Sequence, residues 1–220
     1  PIISVGNIEL GGTGKTPMAI LISQQLTELN INHVIVSRGY KKEKNGLIIL
    51  NSTSTKQIYS AHECGDEPLL LSNKLKDIPI VVSENKIDAI KIAQIKFNPK
   101  IIILDDGFQS LKIAKTLNVV LINSLKTINQ FQLFPDGYLR EPLWALKRAD
   151  LIIMTKTNIK KPSSVILDKI NNHYNGDILY SQYIHQLLKF NTKQKELLQT
   201  AENNINTVIL LSNLIKLIFQ

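Results

Sequence analysis

The sequence predicts an α/β fold: a mostly parallel sheet flanked by helices, followed by the start of an incomplete second domain. Three observations carry this. The run Ile101-Ile102-Ile103-Leu104 and those at 119–122 and 151–154 are continuously apolar rather than alternating, the pattern of strands covered on both faces. Segments of helical periodicity separate the strands, as parallel pairing requires. A glycine-rich turn joins the first strand to the first helix, which is how a phosphate-binding loop is built.

Taken in order, Ile2-Ile3-Ser4-Val5 reads as a buried strand ending at Gly6. Residues 17–29 carry Ile20, Leu21, Leu26 and Leu29 at helical spacing, with Pro17 tolerated in the first turn, where its missing N–H is unpaired anyway. A second strand is predicted over 33–37 and a third over 47–50. Residues 51–62 read as a polar, mobile stretch with at most one short strand. Asp66 is the expected N-cap of a helix over 67–75. A strand over 80–82 precedes an amphipathic helix over 85–96 carrying Ile87, Ile90 and Ala93, with Ile95 out of phase. Beyond about Tyr183 the pattern weakens. Residues 189–206 read as a helix plus linker, 208–211 as a further strand, and 214–219 as an apolar tail. The division expected is therefore a nucleotide-binding domain over 1–183, with 184–220 a linker and the stub of a second domain.

Composition narrows the class. A chain of 220 residues supports one sizeable core, and 44% hydrophobic against 20% charged residues is a globular balance that argues against disorder. The single cysteine, Cys64, excludes a disulfide framework, points to a reducing compartment and reads as an inert thiol. A net charge of +8 and a pI near 9.4 admit nucleic acid, nucleotide phosphates or an anionic membrane surface as partners. The lysines are scattered, however, with no basic run interleaved with aromatics, so nucleic acid is not expected. No apolar run reaches the roughly 18 residues needed to span a bilayer. The chain opens on Pro1 and enters a strand at once, so upstream residues, including any N-terminal anchor, are expected to be missing.

The chemistry concentrates at strand ends. Gly11, Gly12, Thr13 and Gly14 let successive backbone N–H groups converge on phosphate oxygens; Lys15 is placed to reach the β- and γ-phosphates of ATP and the Thr16 hydroxyl to ligate Mg²⁺. Glu9 stands where the general loop pattern has its first glycine. Asp105 and Asp106 close an apolar strand and form a Walker B-like pair suited to Mg²⁺. Gly65-Asp66-Glu67 offers a general base for an attacking hydroxyl. Leu139-Arg140-Glu141-Pro142 offers a cation for developing phosphoryl charge and an acid for metal or substrate.

The segments SVGNIELGGTGKTP, SRGY, GDEP, DDGFQ and LREPLWALKRAD, in this order, closely resemble the tetraacyldisaccharide 4′-kinase (lipid A 4′-kinase) family over residues 1–156. The deviant loop is part of the resemblance, because that family also lacks the first glycine. The resemblance implies a P-loop fold and Mg²⁺-dependent transfer of the ATP γ-phosphoryl to the 4′-hydroxyl of an acylated glucosamine disaccharide 1-phosphate. It implies work at the cytoplasmic face of the inner membrane. By the same resemblance Lys15 and Thr16 hold phosphate and metal, Asp105 and Asp106 are the Walker B acids and Asp66 is the general base. Arg38, Tyr40, Glu67, Lys86, Gln109, Arg140 and Glu141 match positions around the family's site.

The chain departs from the family in four ways. Ser110 follows DDGFQ where a histidine is usual, and Lys86 stands for an arginine, exchanging a bidentate contact for a point charge. No D-H-x-x-[FY] segment supplies the histidine that partners the base; His173 and His185 lie in unrelated contexts. The chain is also shorter than family members at both ends. Two other readings stay open on the residues: a catalytically impaired nucleotide-binding remnant of that kinase, or another phosphate-loop ATPase. The latter often carries an extra lysine early in the loop, where this chain has Glu9 and Leu10.

Overall fold

The structure, a computed structural model, describes residues 1–40, 42, 43, 46–51 and 59–182, together with the backbone of 189–191 and 194–196. Strands β1 (Ile2–Asn7), β2 (His33–Ser37), β3 (Ile48–Leu50), β4 (Ile80–Val82), β5 (Ile101–Asp105), β6 (Leu117–Asn123), β7 (Leu151–Thr155) and β8 (Ile178–Tyr180) form one sheet in the order β3-β4-β2-β5-β1-β6-β7-β8. Every pairing is parallel except that of the edge strand β3 with β4. The helices are α1 (Lys15–Glu28), α2 (Ala61–Cys64), α3 (Asp66–Lys74), α4 (Lys86–Phe97) and α5 (Ser164–Asn171), with a 3₁₀ helix over Leu143–Arg148.

The continuous apolar strands are buried on both faces. Ile3, Val5, Ile35, Ile103, Val119 and Ile153 pack under α1 and α3 with Ile22, Leu26 and Leu71. Their sequence neighbours Val34, Val36, Ile102 and Leu104 face Ala89, Ile90 and Ala93 of α4. On that same face, toward the other edge, Val120, Ile122, Ile152 and Met154 pack on Leu146, Ile166 and Ile170 of the 3₁₀ helix and α5. Full burial of one such side chain is worth roughly 1.5–3 kcal/mol, so a strand of five sealed residues is fixed in place by its own composition.

Several local expectations shift. Asp66 is the first residue of α3, and the cap is Gly65, whose φ of 94° lies in the left-handed region open to glycine. Asn85 caps α4 instead of belonging to it, its side chain accepting the Ile87 N–H. Ile95 is 81% exposed, in keeping with its phase, and Ile87 is half exposed. The end of the stretch expected to be polar and irregular contains α2, opened by a Ser60–Glu63 capping box. Sequence patterning also passes over the 3₁₀ helix, α5 and β8. In place of the first turns of a helix expected over 189–206, β9 (Lys189–Asn191) and β10 (Gln194–Glu196) pair antiparallel. The remainder of that segment, the strand expected over 208–211, the tail over 214–219 and most of the stub over 184–220 lie outside the described residues.

Candidate nucleotide and phosphoryl-transfer site

Adjacent central strands deliver the two principal motifs to one crevice. In β1 and β5, Val5 lies opposite Asp105, so the loop leaving β1 and the acids ending β5 emerge side by side at the carboxyl edge of the sheet. The loop enters α1 through Gly14, the helix N-cap, at a φ of 91°. Its backbone is tied down from β7 outward: the Thr155 hydroxyl donates to the Thr13 carbonyl at 3.0 Å and Lys156 Nζ to the Gly12 carbonyl at 2.8 Å.

Lys15 Nζ lies 3.6 Å from Asp106 Oδ1. Arg140 meets the same carboxylate with both terminal nitrogens, at 2.9 and 3.3 Å, and also donates to Asn7 Oδ1. Asn7 in turn donates to Thr13 Oγ1 at 2.7 Å, so one asparagine links the arginine to the loop. Burial raises the pKa of Asp106, but the Arg140 hydrogen bond and the charges of Lys15, Arg140 and Lys86 outweigh it, leaving the group below the usual carboxylate range. Asp106 takes a left-handed φ of 48°, and Lys86 Nζ holds that turn by donating to the carbonyls of Asp105, at 3.0 Å, and Asp106. Burial lowers the Lys86 pKa against the pull of both aspartates.

Asp105 is differently placed. Its Oδ2 accepts from the Ser37 hydroxyl at 3.2 Å, while its buried Oδ1 has no partner among the described residues. Burial first, then the charges of Glu67 and Asp106, push its pKa up to about 6 against Lys86 and Lys15. An orphaned buried carboxylate oxygen is the kind of ligand a hard cation takes. Among the described residues no cluster of three or more His, Cys, Asp or Glu encloses a metal. The open Asp105 oxygen fits a small cation that takes most of its other ligands from water and phosphate oxygens. Thr16, buried in the first turn of α1, is the hydroxyl available from the loop.

Glu141, expected as an acid for metal or substrate, has both carboxylate oxygens engaged within the protein. Its oxygens accept from Gln109 Nε2 at 2.7 Å and from Arg148, whose guanidinium stacks 4.3 Å from the Phe108 ring centroid. Gln109 also donates to the Asn7 carbonyl at 2.8 Å. These residues form a brace behind Arg140. Two cavities open at the site, one on the glycine loop and one beside Gln109 and Arg140. One of about 450 Å³ is lined by residues 12–17, Glu67, Lys156 and Ile159. The other, about 540 Å³, is lined by Arg38, Lys86, Asp106, Gln109, Lys112 and Arg140 among others. Asp66 and Tyr40 are exposed, and the Asp66 carboxylate has no hydrogen bond or ion pair among the described residues. Their loops do meet: a Cβ on Gly65 would stand 3.1 Å from the Tyr40 carbonyl oxygen. Asn7, Ser37, Arg148 and Lys156 are absent from the sequence-based expectations. A polar residue closing or directly following an apolar strand, as Asn7, Ser37 and Lys156 do, is the signal that points to three of them.

The sheet order, the glycine loop at a helix N-terminus and the paired acids define a phosphate-loop nucleotide-binding protein. The chain belongs to the tetraacyldisaccharide-1-P 4′-kinase family, whose model matches residues 1–209. Among its relatives, the tetraacyldisaccharide 4′-kinase of Halothermothrix orenii is 39% identical over 158 residues, 71% of this chain and 41% of that protein. The namesake from Elusimicrobium minutum is 37% identical over 192 residues, covering 84% and 50%. The crystal structure of LpxK from Aquifex aeolicus in complex with ATP superposes with a TM-score of 0.67 at 35% identity, over 74% of this chain and 50% of the other. The chain thus spans half or less of the length of these three proteins. Among the described residues no helix is long and apolar enough to cross a membrane.

Proposed function

We propose that this chain carries the nucleotide half of a kinase that transfers the γ-phosphoryl of ATP to the 4′-hydroxyl of an acylated glucosamine disaccharide 1-phosphate in lipid A biosynthesis. The observation that carries the reading is the convergence of Lys15, Arg140 and Asp106 beside the orphaned Asp105 oxygen, at the mouth of the glycine loop. The loop amides and Lys15 bind the phosphates. Asp105 Oδ1, with the Thr16 hydroxyl, would hold Mg²⁺, which supplies charge neutralisation at the β- and γ-phosphate oxygens. Asp106 orients Lys15 and Arg140, and Arg140 faces the charge that develops on the transferring group. Asp66 takes the proton of the attacking hydroxyl, with Glu67 lining the loop cavity beside it. Arg38 and Lys86 border the second cavity, which is sized and charged for an anionic sugar headgroup.

The net charge of +8 supports work at an anionic membrane surface, on the cytoplasmic face of the inner membrane where ATP is available. We assign 1–183 to the nucleotide-binding unit and 184–220 to the approach to a second unit. The test is equilibrium binding of Mg-ATP to the 220-residue chain, with and without Lys15→Ala. Binding that is lost in the variant supports the reading, and equal binding by both overturns it.

A further inference from the structure

Within the loop, Glu9 is the residue that phosphate chemistry least expects. An anion cradle gathers N–H groups and cations, and a carboxylate under it opposes the ligand's charge. Yet Glu9 is sealed from solvent, at 0% exposure. Its Oε1 accepts the Asn123 N–H at 2.9 Å, at the end of β6, and its Oε2 has no hydrogen-bond partner among the described residues. Its backbone bridges to Leu139, flanked by the Leu10 N–H to Tyr138 carbonyl bond and the Arg140 N–H to Ile8 carbonyl bond, both 2.6 Å. Glu9 therefore joins three pieces of the site: the glycine loop, the strand end at Asn123 and the segment that presents Arg140.

We propose that Glu9 is a positioning residue of the phosphate loop, pinning it to the end of β6 through Asn123 and acting as the neutral acid when a phosphate chain occupies the loop. This rests on the nucleotide reading above and deepens it. The charged groups that act on Glu9 are Lys15 on α1, Lys126 beyond β6 and Lys156 beyond β7; Arg140, on the bridged segment, is turned to Asp106. Burial nonetheless outweighs those lysines and the Asn123 N–H and pushes the Glu9 pKa up to about 7. Phosphate oxygens bound by Lys15 draw on a charge that now lowers the Glu9 pKa, which favours the protonated carboxyl further. Nucleotide binding is thereby linked to uptake of a proton.

The experiment is calorimetric titration of the 220-residue chain with Mg-ATP at pH 7, 8 and 9, in buffers of different ionisation enthalpy. The unaltered chain should take up a fraction of a proton per nucleotide at pH 8, and its affinity should fall by up to about tenfold per pH unit across the linked range. Glu9→Gln, which keeps an acceptor for Asn123 without a titrating group, should bind with neither proton uptake nor alkaline loss. Glu9→Ala, which cuts the tether, should bind at least about tenfold more weakly at pH 7, the cost of one buried hydrogen bond. Retained proton uptake in Glu9→Gln, or full affinity in Glu9→Ala, overturns the role of Glu9 and leaves the nucleotide reading standing if Lys15→Ala still abolishes binding. Absence of Mg-ATP binding by the unaltered chain overturns both. Should Glu9→Ala fail to fold, the comparison of Glu9→Gln with the unaltered chain decides alone.

Discussion

Arg140 grips Asp106 with both ends of its guanidinium, at 2.9 and 3.3 Å, on a residue that Lys15 approaches at 3.6 Å from the loop side. One carboxylate thus fixes the spacing of two cations that come from segments more than a hundred residues apart. The pair is partly exposed, with side-chain accessibilities of 25% and 32%, so its worth to folding is modest, under about 1 kcal/mol. On the proposed function, its worth lies in holding the guanidinium plane where charge develops. Lysine at that position keeps a charge and loses the fork. Arg140→Lys should lower turnover by about 10²-fold or more while barely moving the unfolding midpoint. A variant with full turnover and several kcal/mol less stability would make Arg140 structural instead.

Lys15→Ala is the converse case. The side chain stabilises little, since its partner Asp106 keeps Arg140, so the variant should unfold at nearly the unaltered temperature. Mg-ATP binding should disappear, because the remaining loop amides carry partial charges where the lysine carries a whole one. Calorimetry and thermal unfolding on the same preparation check both halves.

Lys86 tests the turn rather than the ligand. Its ammonium caps two carbonyls of the Asp105-Asp106 turn, one of them on a residue with φ of 48°. Lys86→Met leaves both carbonyls in a half-buried place without a donor and should cost roughly 1–3 kcal/mol. Lys86→Arg should recover most of that loss, since a guanidinium reaches the same carbonyls. Chemical denaturation of the three proteins checks the order; equal stability of Lys86→Met and the unaltered chain would refute it.

What the sequence makes legible here follows from which forces act locally. The strands 33–37 and 80–82 are read to the residue, because burial on both faces leaves the apolar runs 34–36 and 80–82 at their centres. The loop, the Asp105-Asp106 pair and Arg140 are legible because each sits where an apolar strand ends or a distinctive string occurs. The short α5 escapes because eight residues hold too few turns to show a period, and the edge strand β8 because its partly exposed Ile178–Tyr180 makes no sealed apolar run. The asymmetry within the acid pair escapes as well. Nothing local to Asp-Asp-Gly says that Arg140, thirty-four positions away, occupies Asp106 and leaves Asp105 with the open oxygen. Arg148 belongs to the same class: its stacking on Phe108, forty positions away, is made by topology.

Glu9 gives the pH dependence of folding a definite sign. Its folded pKa stands near 7, above the ordinary 4.5, so the folded state binds the proton more tightly than the unfolded one. The chain therefore loses stability as pH rises from 4.5 to 7, by up to about 3 kcal/mol from this group, and no more beyond that window. Glu9→Gln should unfold at a pH-independent midpoint across the window, apart from the other titrating groups, and be the more stable protein at pH 8. A parallel pair of stability–pH curves would show that Glu9 ionises as freely folded as unfolded.

The last prediction concerns turnover of the 220-residue chain itself. Its proposed binding half is assembled: the loop is anchored by Thr155 and Lys156, and Lys15 and Arg140 both meet Asp106. The proposed base is not. Asp66 stands exposed at the start of α3, with no described group to orient it or to share the hydroxyl proton. General-base assistance contributes about 10²–10⁴-fold, and a carboxylate that swings freely realises little of it. Phosphoryl transfer also depends on charge stabilisation in a dry cleft, and both cavities here open to solvent beside half-exposed charges. The chain should therefore bind Mg-ATP with ordinary affinity yet phosphorylate the disaccharide at least about 10²-fold more slowly than a relative assayed at its own full length. Asp66→Asn should lower that residual rate only slightly, whereas the same change in the longer relative should cost the full general-base factor. Radiolabelled ATP with the disaccharide in detergent micelles measures all four proteins. Turnover by the 220-residue chain within about tenfold of the relative would mean that Asp66 is oriented by groups already present, and the argument from its exposure would fall.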